Sequence, residues 1–163
     1  GVPAAVTSRD RVRGFRDAAR EWPAIRLTDT PPGDFQETTA RRVMAEFLAR
    51  SPRVDGVLAA NDAMALGVLS ALEAAGRSTP VIGVNAVPDA ITAVKAGRLL
   101  ATVDFDALKI SSIATEAALR HLRGERVPPE IILPTQIVDG ANCAAWDVPL
   151  ERRQSPAWSD VVR

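Results

Sequence analysis

The chain has 163 residues, a length that fits one domain of ordinary size. Apolar residues make up 47% of it and charged residues 25%, which is the composition of a folded domain with a real core. Twenty basic residues balance twenty acidic ones, so the charge argues against a surface for nucleic acid or an anionic membrane.

The first part of the chain predicts a helix, a short strand and a second helix. Apolar side chains recur at helical spacing from Ser8 or Arg9 until Pro23 ends the pattern. A strand is expected over Ile25–Thr28, followed by a Pro-rich turn. The second helix has one apolar face and is expected to end at Ser51-Pro52.

The rest of the chain alternates regularly between strand and helix. The predicted elements are a strand over 54–60, a helix over 63–75, a strand over 81–84, a helix over 89–97, a strand over 99–103, a helix over 107–122, and an edge strand over 131–138 that contains Pro134. This order predicts the α/β class, with a doubly wound, mostly parallel sheet and helices on both faces. The tail from Asp147 is rich in Pro and Arg, and we expect it to be loosely held.

Nothing in the sequence predicts catalysis. The single histidine, His121, lies in a predicted helix beside arginines, where a solvated surface residue explains it. The single cysteine, Cys143, has no basic neighbour to activate it and excludes an internal disulfide or a zinc cluster of the usual spacing. Phosphate-binding loops and nucleophile elbows are absent. We therefore expect no enzyme, no cofactor and no metal site, and a doubly wound enzyme is the least favoured hypothesis.

Polar and aromatic side chains at the ends of the predicted strands indicate a binding site instead. The candidate positions are Arg9, the loop that ends in Phe35, Asn61-Asp62, Asn85 and Asp104-Phe105. Because parallel strands bring such positions to one edge of a sheet, we expect them to lie together. Guanidinium and amide groups with aromatic rings suit a neutral polyhydroxy ligand such as a sugar.

Each of these residues also has a simpler structural explanation. Arg9 is one of many arginines and can lie on the surface, and Phe35 can anchor a loop. Asp62 is equally suited to capping a helix, and Asn85 to shaping a turn. The shared position at strand ends favours the binding hypothesis for the set as a whole.

Several short segments occur in an order that is typical of one family. They are Arg9–Phe15, Gly33–Phe35, Asn61–Gly67, Ile82–Ala90, Gly97–Val103 and Gly124–Pro128. The order resembles the carboxyl-terminal half of ribose-type periplasmic binding proteins, the sugar receptors of bacterial ABC transporters, over about residues 1–143. Asn-Asp-Ala-Met-Ala-Leu-Gly at 61–67 is the most specific of these segments.

The resemblance implies a function and a location. The chain would be the carboxyl-terminal portion of a sugar- or polyol-binding component of an ABC importer, in the periplasm, with a membrane permease as its partner. Arg9, Phe35 and Asn61 would contact the ligand. Asn85 stands where the family has an aspartate, and Phe105 where the ribose type has a polar residue. A less hydroxylated sugar, a deoxy sugar or a polyol is therefore expected rather than ribose.

The resemblance also implies a division of the chain. Residues 1–105 would form the carboxyl lobe, 106–135 a crossover and a helix of an amino lobe expected before Gly1, and 136–163 a return crossing and tail. The helix over 107–122 would then expose apolar side chains, which are Ile110, Ile113, Ala117 and Leu122. We expect a homodimer through this helix.

A lac-repressor-like transcription regulator is the alternative that shares this fold. The chain would then be its effector-binding and dimerisation domain, located in the cytoplasm. The segment Pro88–Gly97 is closer to the receptor pattern.

Overall fold

The computed structural model describes residues 1–28, 30–50, 53–149, 152 and 157–162. Its elements are α1 (Val6–Glu21), α2 (Glu37–Arg50), β1 (Val57–Leu58), α3 (Asp62–Ala74), β2 (Val81–Val84), α4 (Pro88–Lys95), β3 (Ala101–Asp104), α5 (Ala107–Leu122), β4 (Gln136–Asp139), a 3-10 helix (Cys143–Trp146) and α6 (Trp158–Val161).

The four strands form one sheet in chain order. β1, β2 and β3 are parallel, and β4 runs antiparallel to β3 with Val138 opposite Thr102. The predicted mostly parallel α/β fold is therefore confirmed. The predicted strand over 131–138 is wrong in its first part, because β4 begins only at Gln136, beyond Pro134. Proline has no N–H to donate and interrupts a ladder of hydrogen bonds.

The core surrounds β2 and the helices that cover it. Val81 is fully buried and Val84 nearly so, and the two side chains point to opposite faces of the strand. Burial on both faces is typical of a parallel strand between two layers of helices. α2 packs against α3 at Gly67, where an added Cβ would lie 2.2 Å from the carbonyl oxygen of Glu37. The glycine allows the two helices to approach this closely.

The predicted strand over 25–28 is wrong. These residues have no regular secondary structure, and the side chains of Ile25 and Leu27 are exposed. A strand depends on a hydrogen-bonded neighbour, and a gap lined by residues of α1 and α2 lies between this segment and β1. With a neighbour on one side only, β1 is also shorter than the predicted strand over 54–60.

The helix boundaries differ from the predicted ones by a few residues. α1 begins at Val6, before the predicted start at Ser8 or Arg9, whereas α3 agrees with the predicted helix over 63–75. The predicted end of the second helix at Ser51-Pro52 lies outside the described residues.

α5 is the least buried of the long helices in the second half of the described chain. Ile113 is buried, but Ile110 is 44% exposed and Leu122 is 81% exposed. The guanidinium of Arg120 lies 4.8 Å from the ring centre of Trp158, so α6 contacts this helix. Within the described ranges no helix combines the length and the apolar character that crossing a membrane requires.

The approach of α2 to α3 can be tested at Gly67. We expect Gly67→Ala to lower the free energy of unfolding by about 1 to 3 kcal/mol, because the added methyl group overpacks the contact with Glu37. Gly14→Ala in α1 is the matched control, since nothing lies within 4 Å of its added Cβ. That change should be neutral or stabilise by about 0.5 to 1 kcal/mol. Urea unfolding measures both variants, and equal effects would contradict this packing.

Candidate functional site

Three strand-to-helix corners and the loop around Phe35 meet at the carboxyl end of the parallel strands. Asn61, after β1, joins two of these parts. Its Oδ1 accepts from the backbone N–H of Met64 at 2.9 Å and caps α3, while its Nδ2 donates to the carbonyl of Phe35 at 3.2 Å. Asn61 is therefore the helix cap, and it holds the Phe35 loop against the end of β1.

Arg11 brings a guanidinium to this edge. Its Nη1 donates to the carbonyl of Ala60 at 2.5 Å, and its Cζ lies 5.6 Å from the ring centre of Phe105. Burial lowers the pKa of Arg11, and the charge of Asp62 opposes that shift. The guanidinium thus connects α1, the end of β1 and the end of β3.

Arg9 lies apart from this group. It is exposed and lines the gap between α1 and β1. Two residues along an α-helix turn the side chain by about 200°, so Arg9 and Arg11 point to nearly opposite sides of α1. The spacing of Arg9 and Arg11 in the sequence already indicates that the two side chains lie on different sides of a helix. The sequence analysis named Arg9 as the candidate.

The buried carboxylate of Asp62 links the strand-to-helix corners through hydrogen bonds. Asp62 is fully buried, and it accepts from the Thr102 hydroxyl at 2.7 Å and from the Val87 N–H at 3.0 Å. Thr102 Oγ1 in turn accepts from the Ala86 N–H at 3.2 Å. An added Cβ at Gly83 would lie 2.2 Å from Asp62 Oδ1, so only glycine leaves room for this arrangement. Burial raises the pKa of Asp62, and its hydrogen bonds and Arg11 partly offset the shift.

The loops of the site hold a strained backbone. Among the described residues, the non-glycine positions with positive φ are Asp34, Phe35, Asn85, Ala86 and Asp106. All five lie in the loops that carry the candidate residues. Such conformations cost about 1 to 3 kcal/mol each and persist where neighbouring contacts fix them. Their concentration here makes these loops candidates for a functional role.

Asn85 keeps an unused hydrogen-bond acceptor. Its backbone N–H donates to the carbonyl of Val103 at 2.9 Å, which places it beside the end of β3. Its Oδ1 is buried, and within the described part of the chain it has no hydrogen-bond partner. A buried acceptor without a partner is unusual and costs about 1 to 3 kcal/mol.

The loop that carries Phe105 is fixed on both sides. Asp104 accepts from Trp146 Nε1 at 2.7 Å and from the backbone N–H of Asp106 at 2.7 Å. Asp106 accepts from the Lys109 N–H at 2.9 Å and caps α5. The Phe105 ring is therefore held where Arg11 lies over it. The structure brings Phe35, Asn61, Asn85 and Phe105 to one edge together with Arg11, which the sequence analysis missed.

The chain is similar to proteins that bind sugars for import. A family model described as the periplasmic binding protein domain matches residues 1–126. The ribose import binding protein RbsB of Bacillus subtilis is 35% identical over 137 residues, which are 84% of this chain and 44% of that protein. The chain thus spans about half the length of the curated relatives that it matches.

Two solved structures show the same fold. A periplasmic solute binding protein of an ABC transporter from Actinobacillus succinogenes, with bound D-allose, has a TM-score of 0.86 and 29% identity, over 89% of this chain and 52% of that one. A solute binding protein from Bacillus halodurans, with bound myo-inositol, has a TM-score of 0.79 and 29% identity, over 83% and 48%. The regulator alternative gains no support from these proteins.

The role of Asp62 predicts a pH dependence. Because its pKa is raised above the ordinary value of 3.8, the folded state binds this proton more tightly than the unfolded state. The ionisation of Asp62 then lowers stability as the pH rises from below that ordinary value through the raised pKa. Asp62→Asn removes this titration.

We therefore expect the free energy of unfolding of Asp62→Asn, relative to the wild type, to increase between about pH 3 and pH 7. Urea unfolding at a series of pH values measures this difference. Thr102→Ser is the matched control, because it keeps both the hydroxyl donor and the carboxylate and should show no such trend. A constant or falling difference for Asp62→Asn would contradict the burial of an ionisable Asp62.

Proposed function

The chain belongs to the periplasmic binding protein family, and we propose that it binds a sugar or polyol at the carboxyl edge of its parallel strands. The observation that carries the proposal is that Arg11 of α1 lies over the Phe105 ring, beside the strained Asn85 corner that Thr102 and Asp62 hold in place. The chain acts as a binding component rather than an enzyme, because these groups hold a hydroxylated ligand and include no nucleophile with an adjacent base.

Each group has a distinct part in this proposal. The Arg11 guanidinium donates hydrogen bonds to ring or hydroxyl oxygens of the ligand, and the Phe105 ring covers an apolar C–H face. The unused Oδ1 of Asn85 accepts from a ligand hydroxyl. Asn61 acts mainly through Phe35, since both of its polar side-chain atoms already have protein partners.

We propose that the ligand is a less hydroxylated sugar, a deoxy sugar or a polyol rather than ribose. Asn85 supplies one amide oxygen where a carboxylate would accept from two hydroxyls, and Phe105 adds an apolar wall. The similar structures hold D-allose and myo-inositol, which are neutral polyhydroxy compounds, and myo-inositol is a polyol.

The setting of the chain is part of the same proposal. It serves as the carboxyl-terminal portion of an importer's solute receptor in the periplasm, with a membrane permease as partner, as the named relatives suggest. Residues 1–105 form the ligand lobe, 106–135 the crossover and its helix, and 136–163 the return crossing and tail.

We also propose that two copies of the chain associate through α5. This helix exposes Ile110, Leu119 and Leu122, which are 44%, 47% and 81% exposed. Leu119 and Leu122 are three residues apart and share one side of α5, and exposed apolar side chains of this kind are a common basis for a symmetric dimer.

The binding site can be tested by replacing two of the arginines of α1, one at a time, with alanine. We expect Arg11→Ala to weaken the binding of D-allose or myo-inositol by about 10- to 100-fold, which corresponds to the loss of a charge-assisted hydrogen bond. Arg9→Ala is the matched control and should change the affinity by less than about twofold. Isothermal titration calorimetry measures both variants. A larger loss for Arg9→Ala would place the guanidinium of the site on the other side of α1.

The dimer can be tested by placing a charge on the side of α5 that carries Leu119 and Leu122. Leu122→Glu should shift the chain from dimer to monomer, because a carboxylate in an apolar interface loses its hydration. Leu100→Glu is the control, since Leu100 is also exposed but lies outside α5. Sedimentation equilibrium over a range of concentrations gives the association constants. A wild-type chain that stays monomeric at high concentration would refute the interface.

A further inference from the structure

β4 lies at one end of the described sheet, with β3 on one side and no described strand on the other. The side chain of Val138 is buried, whereas that of Ile137 is 66% exposed. An end strand with an exposed apolar side chain and open backbone groups is a template for pairing with another chain. The groups that bond to the outer edge of β4 therefore decide whether it can pair.

The register of β3 and β4 shows which backbone groups face outward. The carbonyl of Val103 accepts from the first N–H after β2 at 2.9 Å, so Val103 directs its backbone groups toward β2. Its neighbour Thr102 then directs them toward β4, where it lies opposite Val138. Because alternate residues of a strand bond to opposite sides, the N–H and carbonyl groups of Ile137 and Asp139 face away from β3.

Asn142 bonds to three of these four outward groups. Its Nδ2 donates to the carbonyl of Ile137 at 2.9 Å, and its Oδ1 accepts from the N–H of Asp139 at 3.0 Å. Its backbone N–H donates to the carbonyl of Asp139 at 3.2 Å. The side-chain amide presents an oxygen and an N–H to β4 as a peptide group of a neighbouring strand does. One residue thus occupies the place of the next strand.

A tight turn and the 3-10 helix hold Asn142 in this place. Residues 139–142 form the turn, and Asp139 Oδ1 accepts from the N–H of Ala141 at 2.9 Å. The 3-10 helix begins at the next residue, Cys143, which is buried. Trp146 at its end donates to a carboxylate at the end of β3 at 2.7 Å. The backbone is therefore fixed on both sides of Asn142.

We propose that Asn142 closes the outer edge of β4 against strand pairing, and that the edge it covers fits β4 of a second copy in antiparallel register. In that register each Ile137 lies opposite the Asp139 of the other copy. The two pairs exchange the same N–H and carbonyl groups that Asn142 otherwise holds. No like charges meet, because each carboxylate faces an apolar side chain. This edge is separate from the surface proposed on α5, and its closure is independent of ligand binding.

The test uses chains that all carry Leu122→Glu, so that contacts through α5 do not contribute. Asn142→Ala removes both side-chain bonds to the edge. Asn142→Ser keeps a short acceptor near the N–H of Asp139 but no longer reaches the carbonyl of Ile137. Gly140→Ala is the matched control, since it alters the same turn and nothing lies within 4 Å of the added Cβ. Sedimentation equilibrium gives the association constants, and amide hydrogen exchange of Asp139 reports on the edge.

We expect Asn142→Ala to raise the association constant at least about tenfold, Asn142→Ser to raise it less, and Gly140→Ala to leave it unchanged. In dilute Asn142→Ala the Asp139 amide should exchange at least about tenfold faster than in the parent chain, and more slowly again as the concentration rises. Adding Ile137→Glu to Asn142→Ala should restore the monomer, because like charges then lie opposite each other in the pair.

Two results would overturn the proposal. One is an Asn142→Ala chain that stays monomeric over the whole concentration range. The other is an association that Ile137→Glu does not reduce, since the copies would then meet elsewhere. If the far-UV circular dichroism spectrum shows that Asn142→Ala unfolds, Asn142→Ser decides the question. An association no stronger than that of Gly140→Ala would then refute the closure of this edge by Asn142.

Discussion

The buried carboxylate of Asp62 is the constraint on which the carboxyl edge of the parallel strands depends. It is the first residue of α3, yet its hydrogen bonds go to Thr102 of β3 and to Val87 beyond β2. One side chain therefore fixes the relative positions of three strand ends. Burial removes the Asp62 carboxylate from water, and this desolvation raises its pKa. The hydrogen bonds to the carboxylate offset part of the desolvation cost. Gly83 lies beside Asp62, and any larger residue there would collide with the carboxylate.

The strained loops follow from this arrangement. Asn85 and Ala86 have φ values of 130° and 53°, which most residues avoid. The N–H groups of Ala86 and Val87 are held by Thr102 and Asp62, so the corner stays in this conformation. A site prepared in advance binds a small hydroxylated molecule without the entropic cost of ordering its loops. The same rigid edge orients the Phe105 ring under Arg11.

The sequence predicted best where local pattern and long-range packing agree. The elements from Asn61 to β2 are predicted almost to the residue, because their apolar pattern, cap and turns all favour the same structure. The predicted strand over 25–28 is wrong because a strand requires a hydrogen-bonded neighbour. The residues of the segment itself do not determine whether such a neighbour is present. Arg11 was missed because the rotation of a helix about its axis is set by packing. The unpaired Oδ1 of Asn85 depends on contacts between distant segments, which one sequence does not display.

The central claim is that a sugar or polyol binds at the carboxyl edge of β1, β2 and β3. The most direct measurement is a two-dimensional amide NMR titration of the chain with D-allose and, separately, with myo-inositol. The account predicts that the largest shifts occur at Arg11, Asn61, Asn85 and Phe105. Shifts confined to α2 or to α5, or none at millimolar ligand, would contradict it.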